Sequence, residues 1–182
     1  MNASLRLAGA RLYLVLDGAH AHVLDAALRG GVDVVQLRDK DLPDDELVRA
    51  AEPFRRACDA HGALFVLNDR PDLVAACRAD GVHVGQSDAS VAEARAVVGD
   101  DAIVGLSIET ESQLGAIDGA DYLGVTVFGT PTKTDAQPGG LELARATAAR
   151  VTIPWFAIGG IDLENVAPAA TTSATFSRSM PP

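Results

Sequence analysis

The chain has 182 residues, 48% of them hydrophobic, which suits one domain with a real core and argues against disorder. Its 25 acidic residues outnumber its 15 basic ones and leave a formal charge of −10, which excludes a general nucleic-acid role, because holding a phosphate backbone calls for a basic field. No apolar run reaches the roughly 20 residues a membrane helix needs, and Met1 to Ala10 has no continuous apolar stretch, so neither a membrane nor a signal peptide is read and a cytoplasmic location is expected.

In chain order, short apolar runs alternate with amphipathic segments. Leu12–Leu16 reads as a strand and 21–29 as a helix. A valine-rich strand over 32–37 precedes a helix over Asp44–His61, whose Leu47, Val48, Ala51, Phe54 and Cys58 recur at spacings of three or four. Strands at 64–67, 82–85, 103–106, 122–128 and 154–158 follow, separated by helices at 72–79, 90–98, 111–117 and 141–150. Pro71 suits the first turn of its helix, and Ser90 suits an N-cap. Cys58 and Cys77 both fall in helical stretches; two cysteines make no disulfide framework, and they read as buried free thiols.

The seven strands are continuous apolar runs, as strands buried on both faces of a parallel sheet require. Repeated βα units close into a barrel or lie in a doubly wound sheet. Polar residues sit just after almost every strand: Gln36, Arg38 and Lys40, then Asn68 and Asp69, then Gln86 and Asp88, then Ser107, then Thr130, Thr132 and Lys133, then Gly159 and Gly160. A barrel brings all such points to one rim, whereas an open sheet brings together only those at its switch point. The pattern therefore favours an α/β barrel over an open doubly wound sheet.

The chemistry-bearing groups have plain readings beside the sharper ones. Gln36 and Arg38 share a strand face, and Arg38 with Lys40 can clamp phosphate, or simply end a strand in solvent. Asp69 and Asp88 follow neighbouring strands and can share Mg²⁺, which usually takes one or two carboxylates plus phosphate oxygens; both types also cap helices. The 128–133 segment lacks P-loop spacing, yet its hydroxyls and Lys133 can hold an anion. Gly159 and Gly160 let backbone amides approach a phosphate, as loops after strands seven and eight of such barrels do, or form a turn. No Ser/His/Asp triad stands out, and His83, inside a strand, reads as a satisfied core or rim histidine.

The ordered set Gln36-Leu37-Arg38-Asp39-Lys40, Asn68-Asp69-Arg70, Gly81-Val82-His83-Val84-Gly85-Gln86 with Asp88, Asp121-Tyr122-Leu123-Gly124-Val125, Thr130-Pro131-Thr132-Lys133 and Ala157-Ile158-Gly159-Gly160-Ile161 resembles the thiamine-phosphate synthase family. The likeness runs from about Leu12 to Val166. It implies a (β/α)8 barrel that couples 4-amino-5-hydroxymethyl-2-methylpyrimidine diphosphate to a thiazole phosphate, releasing diphosphate and giving thiamine phosphate, with Mg²⁺ as cofactor. Carried over, Arg38, Lys40 and Lys133 are catalytic, neutralising the leaving diphosphate. Gln36, Asn68 and Ser107 join them in holding the pyrimidine diphosphate. Thr130, Thr132 and Gly160 contact the thiazole phosphate, and Asp69 and Asp88 ligate Mg²⁺. The partners implied are these small molecules, and a homo-oligomer is compatible with the sequence.

After Gly160 and Ile161 the resemblance fades. Residues 169–182 show no strand pattern and end in two prolines, so they read as an irregular tail behind a single domain over 1–168, with strand eight and the final helix missing and the edges of strands one and seven open. Two other readings stay open: a thiazole tautomerase of the same family, which does not couple, and a non-catalytic phosphate-ligand binding remnant.

Overall fold

The computed structural model describes residues 3–129, 138–170 and 175–179, with side chains as far as residue 169. Its strands are β1 (Leu12–Leu16), β2 (Val34–Leu37), β3 (Leu64–Asn68), β4 (Gly81–Val84), β5 (Ile103–Ile108), β6 (Tyr122–Thr126), β7 (Trp155–Ile158) and β8 (Thr175–Ser179). Each pairs in parallel with the next in sequence, and β8 pairs with β1, so the sheet closes. The helices are α1 (Ala3–Gly9), α2 (Leu24–Arg29), α3 (Asp44–His61), α4 (Val74–Cys77), α5 (Val91–Val98), α6 (Gly140–Arg150) and α7 (Val166–Ala170).

The twofold alternation of a strand explains why the runs are apolar throughout. Leu14, Leu16, Val35, Leu37, Phe65 and Leu67 face the helical layer, where they meet Leu47, Phe54 and Cys58 of α3. Tyr13, Val15, Val34, Leu64, Val66, Ile103, Tyr122 and Phe156 form a second cluster inside the barrel. α3 begins with Asp44, Asp45 and Glu46, acids that suit the positive end of a helix, and stops at Gly62, whose φ of 71° is the left-handed turn glycine adopts without strain. Both cysteines are free and buried, as expected.

The N-terminal rim is a stability face. Asp33, Asp80 and Asp121, each just before an even-numbered strand, accept the backbone N–H of Leu12, Phe65 and Val104 at the start of the preceding odd strand, at 2.9, 2.7 and 2.7 Å. α1, for which the sequence reading assigned no element, lies at this end. Its Leu7 joins the inner cluster, and Arg6 donates to the carbonyl of Gly62 at 2.9 Å.

The expectation of a missing strand eight is corrected here. β8 aligns Leu12 with Phe176 and Val15 with Ser179 on one side, and Phe156 with Thr175 on the other. A parallel ladder asks only for backbone N–H and C=O groups. Residues 175–179 contain neither proline nor glycine, and two open strand edges stood ready to be paired. The tail is therefore not irregular throughout, and a domain limit at 168 falls inside α7. Among the described residues no helix follows β8. No helix among them is long and apolar enough to cross a membrane.

Candidate functional site

A cleft of about 640 Å³ opens at the C-terminal ends of the strands. It brings together Gln36, Arg38, Lys40, Asn68, Asp69, Asp88 and Ser107, all singled out from the sequence. Thr130, Thr132 and Lys133 lie outside the described residues. Gly160 is not part of the lining; Gly159 is. A Cβ at Gly160, where φ is 51°, would run into the carbonyl oxygen of Gly129, so this glycine packs the 128–129 turn against the rim.

Each rim group is held from below. Arg38 continues the β2 ladder by donating its amide to Leu16 at 2.8 Å, and its guanidinium has no hydrogen-bond or ion-pair partner among the described residues. It stands as an uncommitted cation in the cleft. Lys40 Nζ lies 2.7 Å from Asp69 Oδ2. Asp69 has φ of 60°, a conformation rare outside glycine, and its N–H donates to the carbonyl of His83 at 2.8 Å. That bond ties the end of β3 to β4 and keeps the carboxylate aimed across the rim. Asp88 Oδ2 accepts the amide of Gly85 at 3.0 Å. A Cβ at Gly85 would sit 2.5 Å from that oxygen, so a larger residue there would push the Asp88 carboxylate off this amide. Gln86 Nε2 donates to the Ser107 carbonyl at 2.6 Å and joins the ends of β4 and β5.

Beneath the cleft a polar chain crosses the barrel. Gln36 Nε2 donates to the Tyr13 hydroxyl at 3.0 Å, and the hydroxyls of Tyr13 and Tyr122 lie 2.9 Å apart. Tyr122 meets His83 Nδ1 at 3.1 Å, and His83 Nε2 meets Ser107 Oγ at 2.9 Å. Burial pushes both phenols well above their ordinary range, so they remain protonated donors and acceptors. Glycines make the room. A Cβ at Gly105 would strike the Tyr122 ring, and one at Gly124 would lie 3.0 Å from His83 Cε1.

His83, read as a satisfied core or rim histidine, is buried, bonded at both ring nitrogens and at the cleft. Three groups escaped the sequence reading: Tyr13 and Tyr122 were assigned no role, and Glu109 lines the cleft. Glu109 was open to discovery, since it lies two residues beyond Ser107 and strand side chains on one face recur every second residue. A tyrosine in an otherwise aliphatic strand, as at Tyr13, signals a buried hydroxyl in need of a partner.

The sequence profile of the family described as thiamine monophosphate synthase matches residues 12–177. A thiamine-phosphate synthase of Thermobifida fusca is 47% identical over 171 residues, covering 88% of this chain and 78% of that protein. One of Synechocystis is 42% identical over 175 residues, covering 93% of this chain and 51% of that protein, so the chain spans about half of that longer relative. Among solved structures, a thiamine phosphate pyrophosphorylase from Pyrococcus furiosus superposes with a TM-score of 0.86 at 31% identity, over 97% of this chain and 87% of that one.

Proposed function

From the premise that the chain belongs to the thiamine monophosphate synthase family, a family of transferases, we propose that its cleft joins 4-amino-5-hydroxymethyl-2-methylpyrimidine diphosphate to a thiazole phosphate and releases diphosphate. The observation that carries this reading is the meeting of Arg38, Lys40, Asp69, Asp88 and Ser107 in one cleft at the C-terminal rim. An isomerase of a lone thiazole phosphate has no use for so many groups suited to a diphosphate and a cation.

In the proposed reaction the C–O bond to diphosphate breaks and a C–N bond to the thiazole nitrogen forms. The electron-rich aminopyrimidine supports the cationic methylene, so no protein nucleophile is required. Arg38 offers a planar fork to the departing diphosphate and Lys40 a mobile charge. Ser107 contributes a hydroxyl on the opposite wall, and Gln36 faces the heterocycle. These groups act on charge that grows as the bond breaks, where preorganised donors count most.

The donor set also fits Mg²⁺. Asp69 and Asp88 each commit one oxygen, Oδ2, to Lys40 and to the Gly85 amide, and their Oδ1 atoms have no partner among the described residues. One or two carboxylates completed by phosphate oxygens is a usual Mg²⁺ shell. Among the described residues no group of three or more His, Cys, Asp or Glu is arranged to hold a metal ion alone, so the substrate phosphates would complete the shell. When bound, the ion would supply positive charge to the leaving diphosphate.

The test is to incubate the full chain with both substrates and Mg²⁺ and follow diphosphate and thiamine phosphate together. Equal release of the two is expected. Binding of the pyrimidine diphosphate without turnover would favour a non-catalytic binding protein. Isomerisation of the thiazole without diphosphate release would favour a tautomerase.

A further inference from the structure

The polar chain under the cleft has its two ends in the cleft and its middle in the core. Gln36 on β2 and Ser107 on β5 stand on different walls, joined through Tyr13 on β1, Tyr122 on β6 and His83 on β4. Tyr13 and Tyr122 are 2% and 0% exposed, so water cannot repair a faulty bond between them.

Counting protons limits what the chain can do. Each hydroxyl owns one proton, and a neutral imidazole has one N–H and one lone pair. Two complete assignments exist, each the reverse of the other. In the first, Gln36 Nε2 donates to Tyr13, Tyr13 to Tyr122, Tyr122 to His83 Nδ1, and His83 Nε2–H to Ser107 Oγ. Ser107 then has its own proton free to point into the cleft, and Gln36 presents its carbonyl oxygen there. In the second, Ser107 donates to His83 Nε2, His83 Nδ1–H to Tyr122, Tyr122 to Tyr13, and Tyr13 to the turned amide oxygen of Gln36. Ser107 then offers the cleft only lone pairs, and Gln36 offers its NH₂. A mixed assignment leaves one link with two protons face to face, or with no proton between its two oxygens or between oxygen and nitrogen, and either fault is buried. The orientation of Gln36, with Nε2 toward Tyr13, belongs to the first assignment.

We infer that Tyr13, Tyr122 and His83 are positioning residues that couple the two walls of the cleft, so that an amino-bearing heterocycle at Gln36 turns Ser107 into a hydrogen-bond donor for a phosphate oxygen. The inference rests on the proposed aminopyrimidine substrate and deepens it into a specificity device. A ring amino group donates to the Gln36 carbonyl and locks the first assignment, in which Ser107 donates to an anion. A ring carbonyl at the same place accepts from the Gln36 NH₂ and selects the second, in which Ser107 turns lone pairs on that anion. The chain thus discriminates amino from oxo pyrimidines at a distance, through the affinity of the diphosphate they carry.

The probes are inorganic diphosphate and two uncharged pyrimidine alcohols, the 4-amino compound and its 4-oxo analogue, titrated into the full chain with Mg²⁺ at one fixed neutral pH. Saturating aminopyrimidine should tighten diphosphate binding roughly fivefold, at the low end of ordinary site-to-site coupling, and the oxo analogue should weaken it. In Tyr13→Phe, and one link further in Tyr122→Phe, both ligands should still bind while the coupling falls to a ratio near one. With ¹⁵N-labelled histidine, the aminopyrimidine complex of the unmodified chain should show neutral His83 as the Nε2–H tautomer. That signature needs no variant and stands if either substitution fails to fold. Absence of coupling in the unmodified chain, coupling retained in both variants, or an Nδ1–H tautomer with the aminopyrimidine bound would overturn the inference. If the unmodified chain binds neither diphosphate nor aminopyrimidine, it is the substrate assignment itself that fails.

Discussion

The arc of the rim from β2 to β5 and the seam where β7, β8 and β1 meet belong to one barrel but are held differently. Along the arc, the site residues are tied down by contacts of their own: Lys40 pairs with Asp69, the Asp69 amide donates to the His83 carbonyl, and the Asp88 carboxylate caps the Gly85 amide. At the seam, β8 runs beside β1 from Leu12 to Val15 but meets β7 only at Phe156 and Ala157. The seam answers a demand of the backbone, since two strand edges must be paired. The difference teaches that chemistry and closure are separable here, so each should fail without taking the other with it.

The largest expected effect breaks the arc alone. Arg38→Ala removes the uncommitted cation and should lower kcat/KM for diphosphate release by about 10²- to 10³-fold, the range for losing one preorganised donor. Its melting temperature should hardly change, because no described partner is left unpaired. Asp88→Asn should likewise spare the fold and raise the Mg²⁺ concentration needed for half-maximal rate. A chelator should abolish turnover in the unmodified chain without shifting far-UV dichroism. A melting point that falls in step with activity would show that arc and fold are not separable.

The next effect breaks the seam. Removing residues 171–182 deletes β8 and exposes the edges of β1 and β7. Each ladder hydrogen bond lost should cost about 1 kcal/mol, and the open edges should drive self-association visible by size-exclusion chromatography. Diphosphate binding should persist at temperatures below the lowered melt, since the arc does not depend on β8 for its charges.

The same contrast governs what could be read in advance. Seven strands were legible because each is a continuous apolar run with its own helix or turn. The arc was legible because Gln36 and Arg38, or Asn68 and Asp69, sit at or just beyond the C-terminal ends of such runs. β8 was not, because Thr175-Phe176-Ser177-Arg178-Ser179 carries one large apolar residue, and its pairing is decided by edges far away in sequence. The polar chain was hidden for a related reason. Tyr13 and Tyr122 are 109 residues apart, and only closure of the barrel brings their hydroxyls together. Gly105 and Gly124 lie in strands, where a glycine marks a close approach without saying by what.

A smaller effect tests that interior between arc and seam. Gly105→Ala drives a methyl group into the buried Tyr122 ring, and overpacking of this kind costs typically 1–3 kcal/mol. Denaturant melts should register it, and diphosphate release should fall only modestly if Tyr122 keeps its bond to His83. Gly119→Ala, by contrast, places its Cβ 3.4 Å from Val91 at φ of 83°, so any loss there is local backbone strain and should leave diphosphate release untouched.

The smallest effect is a slope with pH. Burial pushes the Cys58 thiol from its ordinary 9.0 up to about 12, and it raises Tyr13 and Tyr122 above their ordinary 10.0. Between pH 9 and about 12 the folded chain keeps protons that the unfolded chain releases. The unfolded state then binds fewer protons, so stability must fall as pH rises, and the contribution is complete below pH 9. Cys58 alone sets a limiting slope of roughly 1.4 kcal/mol per pH unit within that window. Melts at pH 8, 9.5 and 11 should trace the decline. Cys58→Ala should remove its part, which begins first. Arg38→Ala should leave the slope unchanged, since the arc contributes nothing to it. Loss of β8 should flatten the slope above pH 10, because Tyr13 pairs in register with Ser177 and water would reach its phenol once that strand is gone. An identical slope with and without β8 would mean that the barrel interior stays dry without the seam, and that closure is held by the helical layer instead.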